Sequence, residues 1–139
     1  MKYCRIDLSK TNYKLSNLGY LHESRLRDPE FLQTIYKQYC EYKGFDSVMP
    51  IFNSEFTDPK NDVIVYCDEW ICAFSLLRRY DSENVEAIQF AWNYEDPSLK
   101  LGIKSLEWEC AYYKSLGYKY LYLGQVEEYK KGFDGYEQI

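Results

Sequence analysis

Residues 113–124, "YKSLGYKYLYLG", hold two kinds of periodicity divided by a glycine. After Gly117, Tyr118, Tyr120 and Tyr122 alternate with Lys119, Leu121 and Leu123, the period of a strand. Before it, from Leu101 to Leu116, Ile103, Leu106, Cys110 and Tyr113 recur on one face of a helix. Glycine is the residue on which helices commonly stop. The segment therefore reads as helix, stop, strand.

Three runs upstream supply that strand with a sheet. "VIVYC" (63–67), "WICAFSLLRRY" (70–80) and "VEAIQFAW" (85–92) are apolar, β-branched and aromatic. Asp68-Glu69 and Asp81-Ser82-Glu83 separate them, which predicts an antiparallel meander. The helix then carries the chain from 85–92 to 118–123, as a crossover between parallel strands requires. Further toward the N-terminus, "YCRIDL" (3–8) reads as a short strand. Asp28-Pro29-Glu30 starts a helix, with Asp as N-cap, Pro at the first position and an acid in the first turn. Phe31, Leu32, Ile35, Tyr36, Tyr39 and Tyr42 continue it to a stop at Gly44. Residues 9–27 carry no deciding period, and 46–61, with Pro50 and Pro59, reads as loop with room for a short helix.

No repeat, low-complexity tract or linker interrupts the 139 residues, so 1–139 is expected to be one domain of mixed α/β class. The net charge of −5 argues against a nucleic-acid module, and from Pro97 onward the charges cancel, so no DNA partner is expected. The 16 tyrosines fit compositional drift better than a base-stacking surface, and tyrosine-rich surfaces could support a homodimer. Five cysteines without a CxxC pair, and His22 as the sole histidine, predict no metal site. Free thiols in a reducing compartment follow. "MKYCRIDLSKTN" lacks the apolar run of a signal peptide, and the run around "WICAFSLL" is too short to cross a bilayer. The expectation is a cytoplasmic protein with no membrane partner.

Chemistry concentrates in "EDPSLKLGIKS", 95–105, the loop that opens the crossover helix. A helix N-terminus presents unpaired amides and partial positive charge, which suits a phosphate. Gly102 would let an anion approach the backbone, with Lys100 and Lys104 on either side. The competing reading is an ordinary strand-to-helix loop capped by Ser98.

The order of elements resembles the GNAT acyltransferase superfamily. More narrowly, "YEDPSLKLGIKSLEWECAYYKSLGYKYLYLG" followed by "YKKGFDGYE" resembles the C-terminal half of the aminoacyl-tRNA–protein transferases. The likeness covers residues 94–139. It rests on Asp96, Pro97, Leu101 and Gly102 in the loop, then Gly117 and Tyr120-Leu121-Tyr122-Leu123-Gly124. Tyr129, Lys130 and Glu137 complete it. The chain departs from those transferases after the strand, where it runs "QVEEYKK", and only Gly102 stands for the glycine pattern of acetyl-CoA users.

This resemblance implies a single GNAT-like domain: a mixed twisted sheet with an antiparallel meander, a crossover helix and splayed parallel strands. It implies that acetyl-CoA, or another acyl-CoA, binds along the strand end at Ala91 and Trp92. Ser98, Leu99, Lys100, Leu101, Gly102, Ile103 and Lys104 would hold its pyrophosphate. The acceptor would be an amine on a small molecule or a protein. Glu86, on the strand flanking the acyl group, is the base, and its competing reading is a solvated charge beside the 81–84 turn. Gln89 could line the site. Tyr129 is the acid that protonates the leaving thiolate, with Tyr122 and Tyr136 as rivals. Two alternatives stand beside this: transfer from a charged tRNA to a protein, which the acidic balance opposes, and a non-catalytic binding module. Tyr120 and Tyr122 are expected to be buried against the 28–43 helix.

Overall fold

The computed structural model describes residues 2–22, 27–44, 50–68, 70–93 and 97–139. Glu69, residues 46–49 and Asp96, on which parts of the sequence reading rest, lie outside them. The strands are β1 (Tyr3–Asp7), β2 (Gly19–Leu21), β3 (Asn61–Asp68), β4 (Trp70–Arg79), β5 (Asn84–Trp92), β6 (Tyr120–Gln125) and β7 (Tyr136–Gln138). The helices are α1 (Pro29–Lys43), α2 (Asn53–Thr57) and α3 (Leu101–Ser115). The described strands form one sheet in the order β2-β3-β4-β5-β6-β1-β7.

β3, β4 and β5 are the antiparallel meander, and β5 pairs with β6 in parallel across the α3 crossover. β1 enters antiparallel between β6 and β7. Local chemistry sets the helix ends. The Asp28 carboxylate accepts from the Glu30 amide at 3.1 Å and the Phe31 amide at 3.3 Å, two donors that helix geometry leaves unpaired. α1 stops on Gly44, and Gly117 takes φ 92° just beyond α3, a conformation costly for any residue with a Cβ. Among the described residues no helix is long and apolar enough to cross a membrane.

Strand alternation sends side chains to two cores. On one face Leu32, Ile35 and Tyr36 of α1 pack over Val63, Val65, Phe74 and Leu76, and Phe56 of α2 meets Phe74 edge-on at 5.4 Å. On the other, Leu106, Cys110 and Tyr113 of α3 pack over Ile64, Leu77, Val85 and Leu121. Ile103, expected on that apolar stripe, is instead 46% exposed.

The tyrosines of β6 also depart from expectation. Leu121 and Leu123 are buried under α3, but Tyr120 and Tyr122 are only half-buried. α1 packs on β4 and β5 and leaves their cover to β1. There the Arg5 guanidinium lies 3.8 Å from the Tyr120 ring centroid and donates to the Tyr122 hydroxyl at 3.2 Å.

Candidate active site

β5 and β6 stay together for three residue pairs, Asn84 with Tyr120, Val85 with Leu121 and Glu86 with Tyr122. Beyond Glu86 they separate. β5 carries an extra residue at this point: Ala87 faces Leu77 and Gln89 faces Leu76, so Ile88 is bulged out of the ladder. A bulge bends its strand and increases the local twist. β6 is irregular as well, because Arg5 faces Tyr122 while Cys4 faces Gly124, leaving Leu123 between them. The Lys130 ammonium donates to the Leu123 and Gln125 carbonyls, both at 2.9 Å, and pairs with Glu127 at 3.0 Å. It thus fastens the segment after β6 to the open strand.

The separation makes a cleft of about 870 Å³. Its walls include residues from both sides of the sheet, among them Glu86 and Gln89 on the α1 side and Ser75 and Glu109 on the α3 side. α3 begins at its rim. Lys100 adopts a left-handed φ of 52° as the N-cap. The Ile103 and Lys104 amides donate to the Lys100 carbonyl, while those of Leu101 and Gly102 have no partner among the described residues. A Cβ on Gly102 would meet only the Phe90 ring, at 4.0 Å, so the space over this amide is open.

Of the residues assigned to the donor, Lys100, Gly102 and Ile103 line the cleft. Ala91 and Trp92 are buried in the two cores, and Leu101 is buried beneath α3, so these three could offer only backbone atoms. Ser98, Leu99 and Lys104 lie outside the lining. Glu86 lines it, half-buried, with its carboxylate accepting from the Tyr80 hydroxyl at 2.7 Å. Tyr129 lines the opposite wall while 53% exposed, and burial, then Glu127, push its phenol up to about 12. Gln89 lines the cleft too, its amide donating to the Phe90 carbonyl at 2.7 Å. Tyr122 is engaged by Arg5. Among the described residues no group of acids, histidines and cysteines could hold a metal ion.

Sequence reasoning passed over Glu109. It sits on the buried face of α3, 3% exposed, and accepts from the Tyr66 hydroxyl of β3 and from the Ser75 hydroxyl of β4 at 2.6 Å. Tyr66 also reaches the Ser105 carbonyl at 3.1 Å. Burial raises the carboxyl to about 7 against the two hydrogen bonds, which lower it. The available signal was an acid inside the apolar stripe of Leu106, Cys110 and Tyr113.

No family model matches the chain, and no curated protein matches it in sequence. Solved structures do share its fold. The C-terminal domain of a protein assigned as a lysylphosphatidylglycerol synthetase in Agrobacterium fabrum is 14% identical, with a TM-score of 0.64 over 90% of this chain and 46% of that one. At that identity the likeness shows the fold alone. An aminoglycoside acetyltransferase from an uncultured soil metagenomic sample is 10% identical, TM-score 0.58, over 85% and 84%. Saccharomyces cerevisiae N-myristoyltransferase with bound myristoyl-CoA is 10% identical, TM-score 0.62, over 99% and 46%. The chain spans about half the length of the first and last of these. With a GCN5-related N-acetyltransferase from Kribbella flavida, 9% identical at a TM-score of 0.58 over 91% of this chain and 31% of that one, these structures show a GNAT-like fold.

Proposed function

We propose that the chain is a GNAT-type N-acyltransferase, moving an acetyl or other acyl group from acyl-CoA to an amine. The observation that carries this is the parting of β5 and β6 into a cleft whose rim is the N-terminus of α3. The amides of Leu101 and Gly102, without a partner among the described residues, suit a pyrophosphate, and the absence of a side chain at Gly102 leaves the anion room. Lys100 and Lys104 add positive charge there. The cleft then receives the thioester, and its polar walls receive the amine. Positioning supplies most of such a rate enhancement, with proton transfer adding to it. Tyr129 is protonated at neutral pH and so can give its proton to the departing thiolate.

A second reading takes the acyl group from a charged tRNA. It rests on the Tyr129-Lys130 segment and on the shared fold of the domain assigned to a synthetase with a lysyl product. One measurement separates the two. A ligand that binds only the folded chain stabilises it by about 2.7 kcal/mol at a hundred times its Kd. Acetyl-CoA is expected to raise the Tm by several degrees, and charged tRNA to leave it unchanged. A shift with charged tRNA alone would replace the first reading with the second, and no shift with either would leave a binding module.

A further inference from the structure

Two acids are buried beneath α3, and they are treated differently. Asp62 accepts from the Tyr113 hydroxyl at 2.8 Å, and Arg79 Nε stands 3.1 Å from its other oxygen. That carboxylate has a cation. Glu109 has none: no lysine or arginine among the described residues pairs with it. Both of its hydrogen bonds fall on Oε2; Oε1 has none among the described residues and, unlike the fully buried unpartnered atoms of the chain, keeps some access to solvent. Glu109 is part of the cleft wall, together with Ser75, Ser105, Phe90 and Leu106. Lys43, Lys100, Lys130, Glu86 and Glu127 also line this cleft, and no ion pair joins any of them to Glu109 among the described residues. The neutral titratable groups around it are Tyr66 on β3, Cys110 and Tyr113 on its own helix, and Tyr129 across the cleft. Burial raises each of these, so all are neutral near pH 7 and none supplies a countercharge. A buried carboxylate normally carries a paired cation or loses its charge.

We propose that the missing cation comes with the acceptor: a primary amine on a slender apolar stem enters the cleft as its ammonium ion, is held by Glu109 Oε1, and gives that oxygen a proton. This rests on the acyltransferase reading above and names the acceptor class for it. In the step, the Glu109 carboxylate takes one proton from the R–NH3+ group. The freed nitrogen lone pair forms the C–N bond to the thioester carbonyl carbon. The C–S bond breaks with its electron pair on sulfur, the thiolate takes the Tyr129 phenol proton, and the second proton on nitrogen restores that phenol. The products are an amide, a free thiol and a protonated Glu109, which returns its proton to water. Phe90 and Leu106 give the stem its apolar contact, and the hydroxyls of Ser75 and Tyr66 hold Oε2 so that Oε1 stays aimed at the cleft. Glu86 then keeps a polar role on the opposite face of the sheet.

The test is a carbon-13 titration of the full chain labelled at glutamate carboxyls, with the Glu109 resonance assigned by its loss in E109Q. The probe is n-butylamine, and n-butanol is its uncharged counterpart. Wild type is expected to titrate near 7. Butylammonium should lower that midpoint by about one unit, tenfold in proton affinity, because a bound cation favours the carboxylate. Butanol should not move it. A midpoint unmoved by the amine, or moved equally by both probes, overturns the proposal. Release of CoA from acetyl-CoA with primary amines gives the second readout. kcat/KM should rise with pH through the Glu109 midpoint, and E109Q should lose about a hundredfold or more while keeping its Tm shift with acetyl-CoA. Ser75→Ala removes a bond that lowers the carboxyl, so the rising limb should move to higher pH. A limb that stays in place in Ser75→Ala also counts against Glu109. Should acetyl-CoA produce no Tm shift at all, the donor reading fails, and the amine-dependent titration still judges Glu109 by itself.

Discussion

Glu86 and Tyr122 are the last residues through which β5 and β6 face each other, and the bulged Ile88 follows two positions later. The side chains on either side of the bulge already alternate correctly, Ala87 toward α3 and Gln89 toward α1. Deleting Ile88 therefore removes the kink without sending any β5 side chain to the wrong face. Ile88 is 41% exposed, so little core is lost. The deletion is expected to fold, with unchanged circular dichroism, and to lose the stabilisation by acetyl-CoA as β5 straightens across the cleft. Full retention of the acetyl-CoA shift would separate the bulge from ligand binding.

Gly102 offers a cleaner probe of the α3 rim. Its φ is ordinary for any residue, and the nearest atom to a new Cβ is 4.0 Å away. Valine at this site is expected to leave the Tm of the free protein within a few degrees. If the donor's pyrophosphate sits over the Gly102 amide, the same side chain takes its place. Calorimetry should then show acetyl-CoA binding weakened by about tenfold or more, 1.4 kcal/mol or above. Equal affinity in Gly102→Val would move the donor site elsewhere.

Tyr120 was expected to fill a core, at the 3–5 kcal/mol typical of emptying a large aromatic site. Its half-buried position beneath Arg5 makes a smaller cost the expectation. The guanidinium–ring contact contributes about 0.5–1 kcal/mol where solvent has access. Tyr120→Ala should lose roughly 1–2 kcal/mol in urea denaturation once the remaining apolar contact is added. Tyr120→Phe keeps the ring and should be close to neutral. A loss above about 3 kcal/mol in the alanine variant would mean that the ring is more deeply packed than its exposure indicates.

The parts of the fold that were legible are those written in adjacent residues. Asp28 and Pro29 announce α1, Gly117 ends α3, and alternation marks β3 to β6. β2 and β7 were not legible, because three-residue strands have no measurable period and exist through pairing with β3 and β1. Gly19 shows how distant the deciding contact can be: a Cβ there would stand 2.7 Å from the Tyr66 ring. The tyrosines of β6 misled for a related reason. Alternation tells which residues share a face but not which element covers it, and here α1 stops short at β5 while Arg5 covers Tyr120. For the site, the loop at 97–104 was visible as lysines and a glycine at a helix start. The Ile88 bulge was not, since one extra residue leaves an apolar run looking continuous. Glu109 lies between these cases: the acid was visible in its stripe, but Tyr66 and Ser75, which define its environment, are 43 and 34 residues away.

Glu109 also makes a prediction about stability that needs no substrate. Its carboxyl is raised from 4.5 to about 7 in the folded chain, chiefly by burial. An acid whose folded value lies above its unfolded value binds its proton more tightly when folded. Its contribution to stability is therefore fully present below about 4.5 and is lost as the pH rises through 7. The difference of roughly two and a half units corresponds to an order of 3 kcal/mol at 1.36 kcal/mol per unit. Glutamine keeps the shape and can still accept from Ser75 and Tyr66, but it cannot ionise. E109Q and wild type are thus expected to have similar denaturation midpoints at pH 5, with E109Q the more stable at pH 8 by up to about 3 kcal/mol. The wild-type curve should fall between those values while the variant's stays nearly level, apart from groups common to both. Urea denaturation at intervals of half a pH unit reads the difference directly. Parallel curves across the whole range would mean that Glu109 is ionised in the folded chain without penalty, and hence that a cation already reaches it.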